Sequence, residues 1–153
     1  MNETGNEHIN EYVTAFVGGQ LFGLPILRVQ DVFAPERLTR VPLAPPEIAG
    51  VLNLRGRIIT LIDLCRRLEM PRTVIELQPM AIGIEAAGES YALLVDTIGE
   101  VLKLDDSARE ANPINLDPKI ARVSAGIHRL DGQLLVVLDV DRVLDIGGKA
   151  QAA

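Results

Sequence analysis

Tryptophan is absent, cysteine occurs once, at Cys65, and aromatic residues make up only 3% of the 153-residue chain. One thiol excludes an intramolecular disulfide and a zinc site built from several cysteines, and it fits a chain kept in a reducing compartment. With so few aromatics, Val, Ile and Leu must fill the core, which suits many short strands. No apolar run approaches the roughly 18 residues of a membrane-crossing helix, and the leader MNETGNEHINEYV has no basic segment followed by an apolar one. A cytoplasmic protein without membrane insertion is expected. Positive charge is also scarce. Residues 1–75 hold eight Arg and eight acids, whereas residues 76–153 hold seven basic and thirteen acidic groups, so the whole net charge of −6 belongs to the second half. That balance argues against nucleic acid as the main partner. Arg55, Arg57, Arg66, Arg67 and Arg72 gather near the middle of the chain without aromatics for base stacking, and are read mainly as a solvated face.

Reactive constellations are missing too. Gly18-Gly19 and Gly147-Gly148 lack the Lys and Ser/Thr of a phosphate loop, no Cys/His spacing suits zinc, and the scattered Asp residues do not form a calcium loop. His8 lies in the polar leader, and His128 is expected at a solvent or edge position. Asp63 and Asp139 each precede a short helix, so capping explains them better than an acid/base pair. Cys65 is expected to be buried as a small apolar side chain. Asp105, Asp106, Glu110 and Asp117 lie on an irregular stretch with no partner base, which leaves a small enzyme as the weakest rival. No enzymatic activity, metal or cofactor is expected. A chain of this kind works by offering surfaces to other proteins.

What the sequence does contain is a repeat. AGVLNLRGRIITLIDLCRRL, residues 49–68, returns 76 positions later, without a gap, as AGIHRLDGQLLVVLDVDRVL. Gly50 falls on Gly126, Gly56 on Gly132, Asp63 on Asp139 and Leu68 on Leu144. Each copy reads as a strand (Val51 to Leu54), a two-residue turn (Arg55-Gly56, or Asp131-Gly132), an apolar returning strand (Ile58 to Ile62) and a capped helix (Leu64 to Leu68). A fainter repeat at 69 positions sets Val13, Ala15, Gly19, Phe22, Leu24, Ile26, Val29 and Val32 on Ile82, Ile84, Gly88, Tyr91, Leu93, Val95, Ile98 and Val101. The chain is a duplicated unit of roughly 70 residues.

Read in order, Tyr12 to Val17 and Leu21 to Leu24 form a hairpin at Gly18-Gly19, and Ile26 to Phe33 a longer strand after a bend at Pro25. Ala34 to Pro46 reads as a loop, Pro46 to Ala49 as a turn of helix, and Met70 to Gln78 as a connector. Met80 to Glu85, Tyr91 to Thr97 and Ile98 to Leu104 repeat the opening strands. Asp105 to Arg122 reads as a long surface loop, and Gly147 to Ala153 as a tail. About five short strands per half predict a mainly β fold of two small five-stranded barrels with short helices, since open sheets of this size leave exposed edges. The barrels are expected in tandem, approximately residues 11–75 and 76–145 of one domain spanning 11–153, with exchange of strands between the halves left open.

Three stretches carry a family resemblance: Glu11-Tyr12-Val13-Thr14-Ala15-Phe16, Ile26-Leu27-Arg28-Val29-Gln30-Asp31-Val32, and Gly50 to Leu64. In that order they resemble the bacterial chemotaxis coupling proteins of the CheW family, over Glu11 to Leu144. The resemblance implies two SH3-like barrels. It also implies a non-enzymatic cytoplasmic adaptor, recruited to receptor clusters at the inner membrane, that couples methyl-accepting chemoreceptors to the chemotaxis histidine kinase. By motif position, receptor coupling in a groove between the barrels carries over to Val29, Gly50, Arg55, Met80, Ile98 and Val101. Asp31 carries over as part of the face for the kinase regulatory domain. Such a chain is a monomer alone and multimeric in receptor arrays. Thr60 departs from the family's Pro and restores a strand N–H. In Arg109-Glu110-Ala111-Asn112-Pro113-Ile114-Asn115, Glu110 replaces an Arg and no aromatic follows, so a second kinase-binding face is not read here. A related pathway for pili, biofilm or development stays open, as does a coupling domain within a longer protein.

Overall fold

The computed structural model describes residues 8–36, 38–71 and 78–145. The leader before His8, residues 72–77 of the expected connector, and the tail lie outside the described residues. Aliphatic residues alternating at period two produce ten strands: β1 (Ile9–Val17), β2 (Gln20–Pro25), β3 (Val29–Phe33), β4 (Ile48–Leu54), β5 (Arg57–Asp63), β6 (Met80–Ala86), β7 (Glu89–Val95), β8 (Thr97–Asp105), β9 (Ser124–Leu130) and β10 (Gln133–Leu138). Three short helices, α1 (Leu64–Arg67), α2 (Pro118–Ala121) and α3 (Val140–Leu144), complete the fold. At Pro25 the chain leaves β2 and makes a 3-10 turn at Ile26–Arg28, which splits the longer strand expected from Ile26. No helix forms at Pro46: Ile48 and Ala49 already belong to β4, where Ile48 pairs with Ile62. The expected loop from Asp105 to Arg122 is more ordered than its composition implies. It holds a second 3-10 turn, Asp106–Ala108, and α2, whose Ile120 is buried.

The two five-stranded sheets have the orders β8-β1-β2-β10-β9 and β3-β6-β7-β5-β4. They do not follow a tandem division of the chain near residue 75. Each takes three strands from one half and its first two from the other. The reason lies in the parallel pairs, Leu135 beside Leu21 in one sheet and Leu61 beside Ala92 in the other. A tight hairpin cannot join parallel neighbours, so the partner strand must arrive from elsewhere in the chain. Exchange between the repeats supplies it. The segment following each outer strand then crosses to the opposite edge, where Thr39 pairs with Val51 and Glu110 with Ile127, with N···O distances of 2.8–2.9 Å. Those bridges close each sheet into a barrel.

Strand exchange makes most strands two-faced. In β7, Tyr91, Leu93 and Val95 face a core shared by both sheets, while Ala92 and Leu94 face the interior of their own barrel. In β10, Val136 and Leu138 face the shared core, and Leu135 and Val137 the other interior. Among the described residues the shared core holds 22 buried apolar residues against five and four in the two interiors, so the seam between the barrels is the larger source of hydrophobic stabilisation. Polar contacts reinforce it. Asp63 and Asp139 accept from the amides of Arg66 and Arg142 at 3.3 Å as N-caps, each worth about 1 kcal/mol. Arg67, expected on a solvated face, instead donates to the carbonyls of Val143 (2.8 Å) and Arg142 (2.9 Å), satisfying the end of α3 from the other half.

The repeated glycines mark the two closing bridges. Gly50 has φ 152° and Gly126 φ 128°; a Cβ at Gly50 would lie 2.5 Å from the Thr39 carbonyl oxygen, and one at Gly126 2.9 Å from that of Glu110. Both neighbours are backbone, so neither can yield by rotating a side chain. Gly50→Ala and Gly126→Ala are each expected to destabilise the protein by about 1–3 kcal/mol, read as a lower urea midpoint with little change in slope.

Candidate functional site

At the 3-10 turn where the chain passes from one sheet to the other, the side chains of Ile26 and Leu27 cannot both enter a core. Leu27 is 94% exposed. The turn borders an open groove of about 490 Å³ lined by Ile9, Asn10, Glu11, Ile26, Leu27 and Lys103. β1 and β8 form its other wall, with Lys103 opposite Glu11 and Ile9 opposite Asp105. Two residues from Lys103, and so on the same face of β8, Val101 is 50% exposed. An apolar strip of this kind, edged by one cation and one anion, matches the anchors of an amphipathic helix.

The residues singled out by motif position differ in exposure. Val29, Met80 and Ile98 are half-buried and pack on the shared core; Val101 faces solvent on β8. Gly50 is buried beneath Leu38 and Thr39, so its part is in shaping β4, and Gly50→Asp would disturb the fold. Arg55 stands at the tip of the β4–β5 hairpin, its side chain 79% exposed, and reaches Asp31 on β3 at 3.6 Å. A residue that motif position links to the receptor and the one it links to the kinase thus meet in a small pocket with Gln30, Arg57, Gly83 and Ser90. Arg57 donates to the Ser90 hydroxyl at 2.6 Å, and Gln30 to Glu85 at 2.8 Å. Arg55 adopts φ 55°, a left-handed conformation that Asn or Gly would hold at less cost.

His128 is not at a solvent or edge position. It is 4% exposed, inside the barrel formed by β1, β2, β8, β9 and β10, with its Nε2 3.0 Å from Asp106 Oδ1. The Tyr12 hydroxyl donates to both Asp106 oxygens at 2.8 Å, and the Asn10 amide donates to Oδ2. Burial pushes the Asp106 carboxyl up, but hydrogen bonds from His128, Tyr12 and Asn10, aided by the charge of Arg109, outweigh it and hold the group below the usual carboxylate range. The same carboxylate acts in the opposite sense on Tyr12. Burial first, then the hydrogen bond and charge of Asp106, push its phenol up to about 12. The sequence signal for this cluster lay in the repeat, because a 76-residue shift puts His128 on Leu52, an interior residue of the other barrel. Among the described residues, no three His, Cys, Asp or Glu side chains gather as metal ligands do, and no helix is long and apolar enough to cross a membrane.

Two strand-exchanged barrels carrying an apolar groove and a charged hairpin tip define a protein-binding module. The CheW-like domain family matches residues 11–147, and the chain belongs to that family. It is 28% identical over 133 residues to the chemotaxis protein CheW of Bacillus subtilis, covering 87% of this chain and 85% of that one. The scaffolding protein TtCheW of Thermoanaerobacter tengcongensis has the same fold, with a TM-score of 0.82 at 27% identity over 92% of this chain and 95% of its own. A segment of the chemotaxis protein CheA of Salmonella typhimurium is 28% identical over 143 residues, 90% of this chain but 20% of CheA.

The buried cluster has a spectroscopic consequence. A phenol whose pKa is raised by folding contributes stability that is complete below the unfolded value near 10 and lost as pH rises through about 12. Near-ultraviolet titration is expected to show Tyr12 ionising at about 12, a step absent in Tyr12→Phe.

Proposed function

We propose that this protein is a non-enzymatic adaptor that couples methyl-accepting chemoreceptors to the chemotaxis histidine kinase, in the cytoplasm at receptor clusters on the inner membrane. The observation that carries the reading is the groove beside the crossover turn, where Leu27 and Ile9 leave apolar surface uncovered beside the facing Lys103 and Glu11, with exposed Val101 two residues along β8. A receptor helix offers apolar anchors at the spacing such a groove accepts. Covering Leu27 alone is worth about 1.5–3 kcal/mol, a useful share of the roughly 8 kcal/mol of a micromolar contact. Arrays then gain strength from many such contacts joined together.

At the β4–β5 tip, Arg55 belongs to the receptor side of the reading and Asp31, beside it on β3, to the kinase side. An exposed pair such as Arg55 and Asp31 contributes about 0–1 kcal/mol to the fold, so both charges can be recruited by a partner at little cost. The two-residue turn at Arg55-Gly56 holds positive φ at both residues, which fixes the hairpin tip and presents the Arg55 side chain to solvent. The CheA segment that resembles this chain supports pairing between like modules of adaptor and kinase.

Titration calorimetry against a chemoreceptor cytoplasmic tip and against the kinase regulatory domain is the test. Both are expected to bind. Leu27→Asp and Val101→Asp should each weaken the receptor isotherm about tenfold, or 1.4 kcal/mol, leaving the kinase isotherm and the unfolding midpoint unchanged. Arg55→Glu should weaken the receptor isotherm as well. Failure to bind either partner rejects the adaptor reading, and full receptor affinity in Leu27→Asp rejects the groove.

A further inference from the structure

We infer that the buried Tyr12–Asp106–His128 network is a positioning element for the groove, setting the wall against which the partner helix lies. The inference rests on reading that groove as the receptor surface. Its basis is a shared set of strands. The groove takes Ile9, Asn10 and Glu11 from the start of β1 and Lys103 from the end of β8, and the network ties those same two strand ends together. Asn10 and Tyr12 donate to Asp106 from β1, His128 meets it from β9, and the Asp106 amide donates to the His8 carbonyl at 2.7 Å. Arg109 is the remaining charge felt by the carboxylate, and His8 acts on the neighbouring Asp105.

The repeat shows that a barrel of this design does not need such a network to fold. In the other barrel, the positions corresponding to Tyr12 and His128 are Ala81 and Leu52, both buried in an apolar interior. Apolar contacts have no direction and tolerate small shifts of one strand against another. A half-buried carboxylate behaves differently. Asn10 and Tyr12, two residues apart, point to one face of β1. A slip of one residue would turn both away and strip the carboxylate of its donors from β1, leaving only His128. The network therefore specifies register and position at the strand ends bordering the groove.

The decisive variant is Tyr12→Phe/Asp106→Leu/His128→Leu, which gives this barrel an apolar interior like the other. It is expected to unfold cooperatively, to exchange amide hydrogens at residues 9–12 and 103–106 about tenfold faster, and to bind the receptor tip about tenfold more weakly, with kinase binding unchanged. His128→Gln, which keeps an N–H donor, should retain wild-type exchange and affinity. If the triple variant does not fold, Tyr12→Phe is read by the same two measurements, with local exchange and receptor affinity changing in the same directions. Receptor affinity within about twofold of wild type in a folded variant overturns the inference, as does exchange that is unchanged or that rises evenly over both barrels. Should the wild-type protein itself fail to bind the tip, the receptor reading falls, and the exchange pattern alone decides whether the network pins the strand ends.

Discussion

The parallel pairing of β2 with β10, and of β7 with β5, is the constraint on which the rest of the molecule depends. A duplicated chain could have folded as two separate antiparallel meanders. Parallel neighbours prevent that, because each must be delivered by the other repeat. Once the first two strands of each half are committed to the opposite barrel, their outward faces meet across the seam. The largest apolar cluster then forms between the barrels rather than within them. Arg67, bound to the end of α3, and the caps at Asp63 and Asp139 hold the helices that line this seam.

The same constraint creates the surface assigned to function. A chain that alternates between barrels must cross between them, and at the first crossing Pro25 ends β2 and forces a 3-10 turn. Leu27 is left outside because the tight turn has no inward face for it. The groove proposed for the receptor is thus a by-product of topology, built on two packed walls rather than on a free loop. This suits an adaptor, whose partners must find their anchors already in place, so that little ordering cost opposes binding.

The two barrels are alike in topology and unlike in chemistry. One hairpin tip carries Arg55 and the other Asp131; one interior is apolar and the other contains a carboxylate, a phenol and an imidazole. Duplication supplies two frames of equal shape, and substitution within them separates the surfaces that each frame presents. An adaptor joining two different partners needs this difference, since identical faces would not tell the partners apart.

Much of this architecture was legible in the residues themselves. The 76-residue repeat, the glycines at the turns and the aspartates before α1 and α3 placed hairpins and caps correctly, because turn and capping chemistry acts within a few residues. The family motifs pointed to the right class of protein. Which strands share a sheet was not legible, since strand pairing over long separations depends on how two apolar faces fit and not on local pattern. Nor was the burial of His128, expected at a solvent or edge position although the 76-residue shift sets it on Leu52. Which backbone Gly50 makes room for, the Thr39 carbonyl, was likewise decided only by the fold. The sequence determined the strands, their turns and their duplication. Only the tertiary structure decided the exchange between barrels, the shared core and the meeting of Arg55 with Asp31, for these arise from contacts between segments far apart in the chain.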